Sequence, residues 1–164
     1  MGRPMTVTDS VEVTTDPVTL WTQVADPAQM PRWSPENIGA PVGAGRPLGV
    51  GDVFHGQNKR GPARWTTQCT VTVSEPGRAF GFDVVAIGVR VPWLRSRIAN
   101  WTYTFEPAGE GTLVTETWTD HRTGWPDWAA AGFDKVATRG SRFCDFQVRN
   151  IARTLANLRA DFAA

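Results

Sequence analysis

Residues 16–35 read DPVTLWTQVADPAQMPRWSP. Asp16 suits a helix cap, and Pro17 suits the first helical position. Val18, Trp21 and Val24 follow at spacings of three and are expected to face inward. Asp26-Pro27 then ends this helix and starts another. Pro31 and Pro35 keep the second one very short, because a helix interior excludes proline. The stretch therefore predicts two short, angled helices. A proline-broken pair of this kind turns a corner at the rim of a hollow, and Trp33, set between two prolines, is expected at the entrance to it.

On the N-terminal side, Met5 to Thr14 alternates, with Val7, Asp9, Val11 and Val13 against Thr6, Thr8, Ser10 and Glu12. That is a strand with one mostly apolar face. On the C-terminal side a Gly/Pro-rich connection holds one short strand near Ile38 to Val42. Five strands follow at about Asp52–Lys59, Ala63–Ser74, Arg78–Ala86, Arg97–Glu106 and Thr112–His121, separated by turn-forming strings such as KRGP, EPGR and EPAGEG. Short turns between consecutive strands imply an antiparallel meander. From about Pro126 to Phe162 the period becomes helical. Val136, Gly140, Phe143, Gln147, Ile151, Thr154, Leu158 and Phe162 share a stripe, with Gly140 a candidate kink or break. The order predicts an α+β fold: a curved seven-stranded antiparallel sheet around a long C-terminal helix, with two short helices after the first strand. All 164 residues are expected to form a single domain.

Apolar residues make up 41% of the chain and charged residues 20%, as in a globular protein. The net charge of +1, without a basic block, argues against nucleic-acid binding through phosphates. Apolar runs are strand-sized, so no stable membrane insertion is expected. The start, MGRPMTVTDS, lacks the apolar core of a secretory signal. Cys69 and Cys144 have no CxxC partner and are read as reduced and buried, which fits the cytoplasm.

The strings DPVTLWTQVADPAQMPRWSPE, GDVFHGQNKRGPARWTTQCTVTVSEPGRAFGFDV, NWTYTFEPAGEGTLVTETW and NIARTLANLRA, in this order, resemble the START-like or SRPBCC superfamily, above all its bacterial polyketide cyclase/dehydrase branch. That resemblance implies a helix-grip fold with a deep cavity for a lipophilic or polycyclic ligand. The fold hosts binders, transporters, co-chaperones and enzymes, so it implies no particular chemistry.

Strand alternation assigns the concave face. It carries Phe54, Trp65, Phe82, Trp101, Tyr103 and Trp118, together with two polar residues, Asn58 and Glu116. Cys69, Val71 and Val84 also point inward, while Thr66, Gln68 and Thr70 point to solvent. On the helix stripe, Gln147 is a third polar group beside Phe143. Asn58, Glu116 and Gln147 either satisfy one another or orient a ligand's hydroxyl or carbonyl, and both roles are compatible. With Trp33 at the rim, these residues form the expected ligand site. The string AIGVRVPWLRSR, residues 86–97, reads as a long apolar and basic loop: a lid, a flap over the core, or an edge contacting a membrane or partner. Asp120-His121-Arg122 reads as a solvated strand end.

Two histidines without ligand spacing give no metal site, and no phosphate loop, dinucleotide fingerprint or nucleophile elbow is present. No cofactor is expected and no catalytic residue is assigned. The expected function is binding of a small hydrophobic, lipid- or polyketide-like molecule between sheet and helix. The alternatives are a polyketide cyclase, aromatase or dehydratase, for which only Glu116 and Tyr103 offer inward acid–base groups, and a protein-interaction module using the aromatic loops.

Overall fold

A computed structural model describes residues 5–138 and 143–163, with the side chains of these other than 136–138 and 143. Seven strands, β1 (Thr6–Val13), β2 (Asn37–Val42), β3 (Val53–Arg60), β4 (Ala63–Glu75), β5 (Ala79–Gly88), β6 (Leu94–Ala108) and β7 (Gly111–Asp120), form one sheet in the order β1-β7-β6-β5-β4-β3-β2. Every pairing is antiparallel. Between β1 and β2 lie the helix α1 (Pro17–Val24) and a 3-10 helix (Pro27–Arg32). The chain ends in α2 (Asp127–Thr138) and α3 (Phe143–Asp161). The expected helix-grip architecture is present. The helical tail is two helices, and the proposed break at Gly140 lies outside the described residues, as do the side chains of Val136 and Phe143. Among the described residues, no helix is long and apolar enough to cross a membrane.

α3 rests on β1 and β7. Ile151, Thr154 and Leu158 are buried on its inner face, as the stripe requires, with Leu155 beside them. Cys69 and Cys144 are buried free thiols.

The opening stretch folds as two short helices but packs differently from expectation. Asp16 caps α1, its Oδ1 accepting the Thr19 amide at 2.9 Å and its Oδ2 the Thr19 hydroxyl at 2.6 Å. Leu20 and Val24 form the buried face, and Val18 is exposed. Val18 sits in the first turn, where it lies over the β4–β5 turn: a Cβ on Gly77 would meet its Cγ2 at 2.9 Å. Trp33 is a core residue, only 1% exposed. Its ring packs towards Phe162 with centroids 6.5 Å apart, and its carbonyl accepts from Asn157 at 2.9 Å. Arg32 lies over both rings and pairs with Asp161. The prolines thus turn this segment inward, onto the C-terminal end of α3, and Trp33 is not at a rim.

Two other expectations change. Residues 86–97 are mostly paired: Ala86 faces Arg95 and Ile87 faces Leu94, so the loop is a short tip on a long β5–β6 hairpin. Asp120 and Arg122, expected to be solvated, are each 2% exposed. Arg122 donates to Asp120 Oδ1 at 3.0 Å and Oδ2 at 2.8 Å, and to Asp134 of α2 at 2.7 Å. Burial of the guanidinium is compensated by two carboxylates, one from each neighbouring element, which fasten α2 to the end of β7. Thr66 is also buried, against the simple alternation of β4.

Candidate functional site

The sheet curves, so α3 closes on its β1–β7 side and stands away from β3 to β6. A cavity of about 140 Å³ lies in the gap. A void of about 150 Å³ holds one aromatic ring, and pockets for drug-sized ligands start near 300 Å³.

Period-two alternation supplies most of the wall. Phe54, Trp65, Phe82, Trp101 and Trp118 line it, with Phe54 and Phe82 edge-to-face at 5.1 Å. A register shift between Val84 and Ala86 breaks the alternation, so Val84 and Ile87 both face the cavity, as do Ala99, opposite Val84, and its neighbour Ile98. A bulge re-aims side chains in this way. Gly56 lines the floor, and a Cβ there would stand 3.1 Å from the Thr67 hydroxyl. Met30 and Ser34, from the segment before β2, and Phe133 of α2 complete the lining.

The polar groups are few. Glu116 on β7 is 1% exposed, and its Oε1 accepts from the Tyr103 hydroxyl on β6 at 2.7 Å. Its Oε2 is buried without a hydrogen-bond partner. Burial pushes the Glu116 carboxyl up to about 8, against the opposing pull of the Tyr103 hydrogen bond, and the charge of Asp9 across the β1–β7 ladder adds to the rise. Burial and the neighbouring carboxyl hold Tyr103 well above the usual phenol range. Glu116 is therefore mainly a neutral carboxylic acid at neutral pH. On α3, Gln147 Oε1 accepts from Asn150 Nδ2 at 3.1 Å, and Asn150 Oδ1 is left without a partner. Asn58 donates weakly to the Gly56 carbonyl at 3.4 Å. Asn58, Glu116 and Gln147 therefore do not satisfy one another: each has a different partner.

A second polar element braces the cavity. Arg60 pairs with Glu36 at 2.9 Å and lies 3.6 Å over the Phe146 ring of α3, tying the β2–β3 edge to the helix. Burial raises the Glu36 carboxyl in spite of Arg60.

Phe54, Asn58, Trp65, Phe82, Trp101, Tyr103, Glu116, Trp118 and Gln147 all line this cavity, and Trp33 does not. The Phe143 side chain lies outside the described residues. The sequence reading omitted Asn150 from the site, although its spacing of three from Gln147 puts both on one helix face. It also omitted Ile87, Ile98 and Phe133, whose positions depend on the bulge and on α2.

A family model described as polyketide cyclase / dehydrase and lipid transport matches residues 4–162. No curated protein matches the chain. Among solved structures, the chain is similar to the Polyketide_cyc-like protein Cgl2372 from Corynebacterium glutamicum, with 25% identity and a TM-score of 0.63 over 99% of this chain and 94% of that one. It is similar in fold to protein Ms6760 from Mycobacterium smegmatis, at 17% identity and a TM-score of 0.67 over 98% and 91% of the two chains. The Aha1 protein from Colwellia psychrerythraea, solved as a dimer, shares the fold at 12% identity and a TM-score of 0.60 over 97% and 96%.

Proposed function

We propose, for a chain that belongs to the polyketide cyclase / dehydrase and lipid transport family, that the cavity binds one small hydrophobic molecule by a ring-sized part of its structure. The supporting observation is an aromatic-walled space around the buried Glu116 carboxyl, one of whose oxygens has no partner. A buried polar atom left unpaired costs about 1–3 kcal/mol, and a ligand hydroxyl or carbonyl removes that cost. Apolar walls with a few convergent polar groups are the usual make-up of a small-molecule site. Phe54, Phe82, Trp101 and Trp118 supply contact area in this reading, and Glu116, Tyr103 and Asn150 orient the ligand. The compartment proposed with it is the cytoplasm, in keeping with two free buried thiols.

The test is denaturing extraction of purified protein followed by mass spectrometry, with titration of a ring-bearing hydrophobic fluorophore alongside. A stoichiometric apolar molecule, or saturable probe binding lost in Phe82→Asp, is the expected result. No extractable molecule together with no probe binding would refute the reading.

One observation favours a second reading, an acid–base enzyme of the cyclase or dehydratase type. A carboxyl that ionises at about 8 is suited to exchange protons at neutral pH. Tyr103, hydrogen-bonded to it, would hold it in position. In that case Glu116→Gln would keep ligand binding and abolish conversion of a supplied polyketide-like ketone. Unchanged conversion in Glu116→Gln would remove the reading.

A further inference from the structure

The tip of the β5–β6 hairpin is apolar and exposed: Val89 is 72%, Val91 67% and Trp93 73% accessible. It is also a built conformation. A Cβ on Gly88 would lie 1.9 Å from the Val91 carbonyl oxygen and 2.9 Å from Cδ1 of Trp93, so glycine lets the tip curl back and seats the indole against the strand end. Arg90, Arg95 and Arg97 flank this tip. The β3–β4 turn stands at the same end of the sheet, because Thr66 pairs with Gly88, and it adds Lys59 and Arg64. Neither 59–64 nor 86–97 contains Asp or Glu. Among the described residues, the ion pairs involve none of these five cations. The same end carries Trp65, Ile87 and Ile98 of the cavity wall.

We propose that this end of the sheet is a peripheral docking surface for an anionic phospholipid bilayer. A convex tip gains little area against a rigid protein partner. In a fluid layer it buries its valines in the acyl boundary and its indole at headgroup depth. The arginines stay at the surface, where their forked guanidinium groups meet lipid phosphates. Contact is reversible and shallow. It brings the cavity wall at Ile87 and Ile98 next to the lipid, and it does not depend on what the cavity holds.

The test is flotation of the full chain with vesicles of phosphatidylcholine, with and without phosphatidylglycerol. Protein is expected to float with the anionic vesicles only, and less at high salt. Replacing Arg90, Arg95 and Arg97 with Gln together should lower partitioning on the order of 100-fold, about five-fold for each charge near an anionic surface. Trp93→Ser should lower it about ten-fold. Gly88→Ala, which moves the tip without removing a contact group, should also reduce it. Thermal melts of the arginine and Trp93 variants should match wild type, because the side chains changed are exposed. Three outcomes overturn the proposal: no flotation, equal flotation with neutral vesicles, or variants that float like wild type. Retention on a poly-glutamate resin without flotation also overturns it and assigns the surface to an acidic protein.

Discussion

Replacing Glu116 with Gln should change how stability depends on pH more than it changes stability itself. The folded carboxyl titrates near 8, against 4.5 for an unperturbed group. A raised folded value means that the full contribution of Glu116 is present below about 4.5 and is lost as pH rises to about 8. Within that window the unfolded chain releases a proton that the folded chain keeps, at about 1.4 kcal/mol per pH unit. The accumulated loss is roughly 3 kcal/mol by neutral pH and about 5 kcal/mol at its ceiling. Glutamine has nearly the same shape and accepts the Tyr103 hydroxyl in the same way, but does not titrate. Urea denaturation of both proteins from about pH 5 to 8, with the variant curve subtracted from wild type, isolates the effect. Glu36, also raised by burial, contributes to both curves and cancels. Asp16 and Asp52, held low by hydrogen bonds from Thr19 and Gly49, titrate below the window. Wild type should lose stability across the range relative to Glu116→Gln, which should be the more stable protein at the alkaline end. Two parallel curves with a constant offset would show that Glu116 is ionised and hydrated in the folded state. The account of a dry, aromatic-walled cavity would then fail.

Trp33→Ala should cost about 3–5 kcal/mol, as truncation of a buried aromatic does, visible as a large fall in melting temperature; a wild-type melt would contradict its packing against Phe162. Arg122→Met should cost about 3–5 kcal/mol by leaving Asp120 and Asp134 buried without their shared cation, measured by urea denaturation. Neither cysteine should react with a bulky aromatic disulfide reagent until the chain unfolds, since both are buried and burial pushes the Cys69 thiol up to about 12. Fast labelling of the native protein would refute that.

Most of the sheet was legible because its strands alternate and its turns carry Gly and Pro. Phe54, Phe82, Trp101, Tyr103, Glu116 and Trp118 fall on the concave face by period alone. Period failed at Val84 to Ile87, where four apolar residues in a row conceal a bulge. It failed too at 86–97, where arginines and a proline imitate an open loop. Trp33 was misplaced because its neighbours in sequence are prolines, while its neighbours in space, Phe162 and Asn157, are more than a hundred residues away. Arg122 was misjudged for the same reason: Asp134, which shares its charge, belongs to another element. Pairing between distant elements leaves no periodic trace, so local pattern shows the walls of the site but not what braces them.

β1 is the first strand to be synthesised, and its partner is the last. Its partner is β7, with Val13 opposite Thr112 and Thr6 opposite Thr119, so about a hundred residues separate the two sides of that ladder. At the usual 5–20 residues per second, the ribosome takes roughly 5–20 s to supply the partner. From β3 to β7, each strand pairs with the one before it in sequence, so each can find its neighbour as it emerges. Closing the loop that returns β1 is the slow, non-local event of this topology. Until it happens, β7 is an open edge and the inner face of α3 lacks part of its floor. The eight residues of β1 therefore act as a kinetic latch. Until they dock, the edge open to pairing with other copies is the ten-residue β7; afterwards β7 is interior and the shorter β1 is the edge.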